Sequence, residues 1–303
     1  MKKHVSVEGS KKLRAASFSV GVNVFLIVIK FAVALITGSL AILAELLHSF
    51  FDLLASVFAY VGIKKAEQPA DKTHLYGHEK FENLSSFLQT ILIVVTSALI
   101  IYEALHRIAS PKKLEFAELG LVVMVVTIGI DYFLSKYLHG ASHKYGSSAL
   151  EADAYHFTTD LWGALAVIVG LAFVYIGFPI FDELAAIAVA LLMLWISYNL
   201  GKKAFYVFMD RSPSDSTMAR IERIVATTPD VKKFHKLKAR QVGNKLLVEL
   251  HILLSSEITL RKGHIIAHSV KERLMNEMPN IKDVTIHVEP YLPEEINDDI
   301  MSK

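Results

Sequence analysis

Long apolar segments separated by short polar ones fill the first 200 residues, and shorter alternating runs follow them. A helix needs about 20 apolar residues to cross the hydrocarbon core of a bilayer. Six segments before residue 200 have that character, and we expect each of them to be a membrane-spanning helix. They are residues 15–37, 40–63, 84–102, 119–135, 154–177 and 184–198.

The segment after Gly201 has the pattern of a small water-soluble α+β domain. Helical spacing covers residues 215–228, with Asp215 as the expected N-cap, and residues 259–278. Strand-like runs are residues 234–242, 245–254 and 283–288, with Gly243-Asn244 fitting a two-residue hairpin turn. The order predicts an αββαβ fold. We therefore divide the chain into a six-helix membrane domain, residues 1–210, and a cytoplasmic domain, residues 211–303.

The composition fits this division and narrows the chemistry. Apolar types make up 53% of the 303 residues and charged types 20%, and the mean hydropathy is +0.41. The net charge of +2 gives no reason to expect nucleic acid as a partner. There is no cysteine, which excludes disulfides, thiolate metal sites and catalytic thiols. Any transition-metal binding must therefore use carboxylates and the 13 histidines.

Basic residues predict the orientation in the membrane. They concentrate before the first span, in the loop after the second span and in the loop after the fourth span. Because cytoplasmic loops carry an excess of lysine and arginine, these three segments are expected on the cytoplasmic side. Both termini are then cytoplasmic, which agrees with an even number of spans.

Two of the predicted spans contain the same ionisable motif. His48 and Asp52 lie in the second span, and His156 and Asp160 lie in the fifth. Residues four apart share one face of a helix, and two such faces would offer two imidazoles and two carboxylates, a donor set that suits Zn²⁺. The alternative is a hydrogen bond along one helix face. Because ionisable residues in lipid are costly and the motif occurs twice, we favour a metal site.

Two further groups of possible metal ligands lie outside the spans. Asp71, His74 and His78 precede the third span with the spacing D-x-x-H-x-x-x-H. Three ligands on one short segment can hold a metal ion, although loop histidines are often only solvated. The cytoplasmic domain has five histidines and a nearby acid, for which metal binding competes with ordinary surface or core positions: His235, His251, His264, His268, His287 and Glu289.

The spans, the αββαβ domain and the order of these three groups together resemble the cation diffusion facilitator family, especially its bacterial zinc transporters. The resemblance covers nearly the whole chain and implies a metallochaperone-like cytoplasmic domain, a homodimer and a bacterial inner-membrane location. It implies a transport site of two residues from each of spans two and five, a loop site, and a site at the cytoplasmic dimer interface. The matching residues are His48, Asp52, His156 and Asp160, then Asp71, His74 and His78, then His235, His251, His264 and His287, with Glu289 in place of the family's usual aspartate.

The expected function is export of a divalent metal in exchange for protons, with Zn²⁺ as both substrate and regulatory ligand. No enzyme activity is expected. Export mainly of Fe²⁺, Mn²⁺ or Cd²⁺ is an alternative, because ligand types alone do not fix the metal. A channel fits less well, since conduction needs weak binding, and a membrane-tethered sensor would not need ligands within its spans. No phosphate-binding loop G-x-x-x-x-G-K-[ST] for an ATP-driven pump occurs.

Overall fold

A computed structural model describes residues 7–37, 40–109, 118–175 and 180–291. Within those ranges only the backbone is described at 33, 34, 36, 37, 40–48, 118–124, 164, 166–175, 181 and 182. The chain separates into two compact units, Met1–Tyr206 and Val207–Lys303. Each unit has a hydrophobic core of its own.

Six long helices form the described part of the first unit. They are α1 (Val7–Thr37), α2 (Leu40–Ala66), α3 (Lys80–Ala109), α4 (Glu118–Tyr145), α5 (Ser148–Tyr175) and α6 (Ile180–Phe208). Each predicted span falls on one of them, except that residues 176 and 177 lie outside the described residues. Considering described residues alone, the stretches Val7–Ala32, Lys80–Ala109 and Glu183–Phe208 are long and apolar enough to cross a membrane.

Helices α2 and α5 lie at the centre of the helix contacts. α2 packs against α1, α3 and α5, and α5 also packs against α3 and α4. Small residues permit the close approaches: a Cβ at Gly62 of α2 would lie 2.4 Å from the Cβ of Ser85 in α3. Large apolar side chains such as Phe25 and Trp195 are instead exposed on the outside of the unit. An exposed apolar exterior with small residues between helices is typical of a helical membrane protein.

The second unit is a three-stranded sheet with two helices. Its elements are α7 (Asp215–Ala226), β1 (Lys233–Val242), β2 (Lys245–Ser255), α8 (Leu260–Glu277) and β3 (Ile281–Tyr291). β2 is central, antiparallel to β1 and parallel to β3. Alternate residues of β2, including Leu250 and Ile252, are fully buried and share one core with Ile266 and Val270 of α8. The opposite face of the sheet carries the polar side chains of Glu249 and His251 together with Leu247 and Leu253.

Local signals account for the ends of these elements. Gly243 has a φ of 64°, in the left-handed region that glycine favours, and with Asn244 it forms the two-residue turn between β1 and β2. The N-cap of α7 is Ser214 rather than the predicted Asp215, because the Ser214 hydroxyl accepts a hydrogen bond from the Thr217 amide. Asp215 instead occupies the first turn, where its charge is favourable near the helix N-terminus.

Candidate metal centres

The buried centre of the first unit brings α2 and α5 together at three ionisable side chains. Asp52 of α2 and His156 of α5 are buried, and the Asp160 side chain is only 10% exposed. His156 Nε2 lies 3.0 Å from Asp52 Oδ1 and 3.7 Å from Asp160 Oδ2. One imidazole nitrogen thus faces oxygens of two carboxylates, and one ligand atom from each residue lies within 4.8 Å of the others. This group could hold a divalent cation, which would also balance the two carboxylate charges. His48 belongs to α2, but its side chain lies outside the described residues.

The segment between α2 and α3 forms a second group. Asp71, His74 and His78 offer ligand atoms within 4.8 Å of one another, with Asp71 Oδ2 3.4 Å from His78 Nε2. His78 Nδ1 lies 3.1 Å from the Pro69 carbonyl oxygen. Because a carbonyl can only accept a hydrogen bond, Nδ1 is the donor in this contact, and in the neutral ring the lone pair is then on Nε2. That tautomer is the one required for metal binding through Nε2.

Asp71 itself is held in its ionised form. Its Oδ1 accepts hydrogen bonds from the Thr73 hydroxyl and amide at 2.8 Å and from the His74 amide at 2.7 Å. These bonds, led by the one from the Thr73 hydroxyl, hold the pKa of Asp71 well below its ordinary value. Asp71 is therefore available as a charged ligand at any physiological pH.

A third group lies on the polar face of the sheet in the second unit. His235 of β1, His251 of β2 and Glu289 of β3 offer ligand atoms within 4.8 Å of one another. Glu289 Oε2 lies 2.8 Å from His235 Nε2, and Glu289 Oε1 lies 2.6 Å from His251 Nδ1. Burial alone would raise the pKa of Glu289, but the hydrogen bonds from His251 and His235 outweigh it and lower that pKa.

A β-bulge is what places His235 in this group. His235 pairs with His251 and Lys238 pairs with Glu249, so β1 has one more residue between the pairs than β2. At the bulge Lys236 adopts a φ of 50°. Without the extra residue, His235 and Lys238 would lie on opposite faces, because side chains alternate along a strand.

The remaining histidines of the second unit are placed differently. His287 is on β3 beside the third group, with Nε2 3.5 Å from Glu289 Oε1, and its side chain is 63% exposed. His264 and His268 lie on the exposed side of α8, which packs on the other face of the sheet. Within one protomer His264 therefore does not belong to the group formed by His235, His251 and Glu289. His268 Nδ1 lies 3.2 Å from Glu272 of the same helix.

Two buried polar clusters were not predicted from the sequence. Asp153, one turn before His156 in α5, accepts a hydrogen bond from Ser56 of α2 at 2.8 Å. Glu82 of α3 pairs with Lys12 of α1 at 3.0 Å. For Asp153 a signal existed: residues 153, 156 and 160 fall on one helix face, so the fifth-span motif extends one turn further.

Family models match both parts of the chain. Residues 16–209 match the cation efflux transmembrane domain, and residues 213–291 match the cation efflux protein cytoplasmic domain. The chain belongs to the cation efflux, or cation diffusion facilitator, family. This confirms the family expected from the sequence and the fold class, a helical membrane domain followed by an α+β domain. Members of the cation efflux family are integral membrane transporters of divalent metal cations, and the chain shares that general role.

Individual relatives of the cation efflux family align over most of the chain. The cation-efflux pump FieF of Shewanella oneidensis is 32% identical over 280 residues, covering 92% of this chain and 94% of the relative. FieF of Serratia proteamaculans is 29% identical over 265 residues, 88% of each chain. Among solved structures, a chain named MamM CTD aligns with 26% of this chain and 98% of its own length at 22% identity, with a TM-score of 0.25.

Proposed function

We propose that this cation efflux protein is a zinc/proton antiporter of the bacterial inner membrane. It works as a homodimer with both termini in the cytoplasm, a membrane domain of residues 1–210 and a cytoplasmic domain of residues 211–303. The observation that supports it most directly is the buried Asp52–His156–Asp160 group, in which one imidazole nitrogen faces two carboxylates. His48, one turn before Asp52 on α2, completes the proposed four-ligand transport site.

Proton exchange follows from the chemistry of these ligands. Metal binding requires neutral imidazole and ionised carboxylate, so a bound Zn²⁺ and bound protons exclude one another. Imidazole in general takes up a proton near pH 6.5. The metal ion enters the site from the cytoplasm, the helices rearrange to open the site outward, and protons from the outer side displace the metal. Asp71, His74 and His78 form the loop site close to the start of α3.

Transport into proteoliposomes tests the substrate and the coupling. We expect saturable Zn²⁺ uptake that accelerates when the interior of the proteoliposomes is more acidic than the outside. Uptake of Fe²⁺, Mn²⁺ and Cd²⁺ should be slower under the same conditions. Zn²⁺ uptake that ignores the pH gradient would rule out antiport. Faster uptake of Fe²⁺, Mn²⁺ or Cd²⁺ would identify that ion as the preferred substrate and overturn the choice of zinc.

The cytoplasmic site is proposed to be regulatory, because its ligands lie outside the membrane domain. His235, His251, His287 and Glu289 share one face of the sheet, and His264 is proposed to join them at the interface between two protomers. Zn²⁺ bound only by the assembled form would stabilise the dimer by mass action.

A fragment of residues 213–291, which contains the core of the second unit, tests this regulatory role. We expect Zn²⁺ to tighten its dimerisation at least about tenfold at a tenfold excess over the zinc dissociation constant. The effect should fade as pH drops through about 6.5, where imidazoles protonate while Glu289, with its lowered pKa, stays ionised. Sedimentation with zinc and with chelator measures the change in dimerisation.

The double change His251→Ala with His287→Ala should remove the zinc effect, and the control His268→Ala should keep it. An identical monomer–dimer balance with and without zinc in the unchanged fragment would disprove the regulatory role.

A further inference from the structure

Asp153 is a fully buried carboxylate one helical turn from the proposed transport site. It is 0% exposed, and it shares a face of α5 with His156 and Asp160. The Ser56 hydroxyl donates to its Oδ1 at 2.8 Å. Its Oδ2 is also buried and has no hydrogen-bond partner among the described residues. An unsatisfied carboxylate oxygen buried between packed helices is costly and requires an explanation.

Ser56 joins Asp153 to the first helix and to the turn that carries Asp52. Its Oγ lies 2.8 Å from Ser19 Oγ and 2.8 Å from Asn23 Nδ2, both in α1. Asn23 Nδ2 also donates to the Asp52 carbonyl oxygen at 3.4 Å. We call Ser19, Asn23, Ser56 and Asp153 the inner polar cluster. Each member is at most 1% exposed, so the cluster is closed to water.

The inner polar cluster supplies no counter-charge for an ionised Asp153. Its other members are uncharged, and no lysine or arginine among the described residues forms an ion pair with Asp153. A buried carboxylate in that position is neutralised by a bound cation. A metal ion would need several ligand atoms around it at distances of about 2.0–2.6 Å. A proton needs only one oxygen atom and no cavity. The closed packing of the cluster therefore favours a proton.

We propose that Asp153 is a proton-binding site of the transport cycle, a role that rests on the antiport function proposed above. When metal leaves the Asp52–His156–Asp160 group toward the outer side, a proton from that side binds the Asp153 carboxylate and forms the neutral acid. Before the next metal ion binds, the same proton leaves to the cytoplasm and restores the carboxylate.

Electrostatics couples this proton to the metal. His156 lies one turn from Asp153 on α5, and Asp52 lies one turn from Ser56, the hydrogen-bond donor to Asp153 on α2. The Asp52 charge favours a protonated Asp153, and a divalent ion one turn away favours the ionised form. On the other helices packed against α5, Glu82 of α3 is bonded to Lys12 and Ser147, and His139 of α4 lies 3.2 Å from the Thr158 hydroxyl. Metal and proton thus exclude one another without sharing a ligand.

The test uses the full-length protein in proteoliposomes with a pH indicator inside. Asp153→Asn keeps the size of the side chain and cannot carry the proton. We expect Zn²⁺ binding within about threefold of the unchanged protein, together with at least about a fivefold fall in protons moved per zinc ion and a zinc flux that no longer responds to the pH gradient. The control Ser97→Ala removes a buried hydroxyl that bonds to Ile93 within α3 and should change neither quantity.

The outcomes separate this proposal from the antiport itself. An unchanged proton-to-zinc ratio in Asp153→Asn overturns it, and so does a parallel loss of zinc binding, which indicates a purely structural role. A pH-independent zinc flux in the unchanged protein would instead refute antiport.

If Asp153→Asn fails to fold, Ser56→Ala serves in its place. Because the Ser56 hydroxyl stabilises the ionised carboxylate, its loss should move the midpoint of the pH dependence of transport about one unit higher, and an unmoved midpoint overturns the proposal.

Discussion

Replacing Asp160 by asparagine is expected to reduce zinc transport at least about 100-fold while leaving a folded protein in the membrane. Asp160 Oδ2 lies 3.7 Å from His156 Nε2 in the buried group. Asparagine has nearly the same shape but removes one of the two carboxylate charges that would balance the metal ion. The site then has a weaker ligand and a charge mismatch in a region of low dielectric, where both are costly. Asp52→Asn should have the same effect, since Asp52 Oδ1 is 3.0 Å from the same nitrogen.

A matched control is available in the same unit. Glu103 of α3 is a carboxylate with a 43% exposed side chain, paired with Arg107 at 2.8 Å. Glu103→Gln makes the same chemical change away from the buried group and should leave the initial rate of Zn²⁺ uptake unchanged. Proteoliposome uptake, normalised to protein incorporated, measures all three variants. Normal transport by Asp160→Asn would show that the buried group is not the transport site.

The helical part of the fold was predictable because it depends on local patterns. Apolar length locates the six helices, and the four-residue spacing puts His156 and Asp160 on one face. The meeting of α2 with α5 could only be inferred from the repeated motif. It depends on helix packing that no local signal in a single sequence encodes, and the same is true of the close approach of Gly62 in α2 to Ser85 in α3.

The histidine group of the second unit shows where sequence reasoning fails. Strand alternation locates β1 and β2, but the bulge after His235 depends on a left-handed Lys236, for which that residue type gives no signal. The placing of His264 on the opposite side of the sheet from His251 also follows only from the tertiary packing of α8. Asp153 escaped prediction because it precedes the apolar run of the fifth span, although its spacing from His156 already placed it on the ligand face.

Glu82→Gln is expected to destabilise the membrane unit by about 3–5 kcal/mol, because it breaks a buried ion pair and leaves one charge behind. Lys12 Nζ lies 3.0 Å from Glu82 Oε1, and the two side chains are only 5% and 7% exposed. The second oxygen of Glu82 accepts a hydrogen bond from Ser147 at 2.6 Å. The carboxylate thus ties α1 and α3 to the residue just before α5. The glutamine amide cannot replace the carboxylate, since a neutral group leaves the Lys12 ammonium buried without a counter-charge.

Thermal unfolding of the purified protein in detergent measures the effect, and a fall in Tm on the order of 10 °C is expected. The double change Glu82→Met with Lys12→Met removes both charges. It should recover most of the fall in Tm, because two apolar side chains need no charged partner. The matched control is Lys203→Met in the same unit. It breaks an ion pair in which Lys203 Nζ lies 2.7 Å from Glu151 Oε1. The Lys203 side chain is 66% exposed, so that pair should contribute less than about 1 kcal/mol. Equal shifts in Tm for Glu82→Gln and Lys203→Met would show that burial gives the Lys12–Glu82 pair no special weight. A double variant no more stable than Glu82→Gln would assign the loss to packing around Glu82 rather than to the unpaired ammonium.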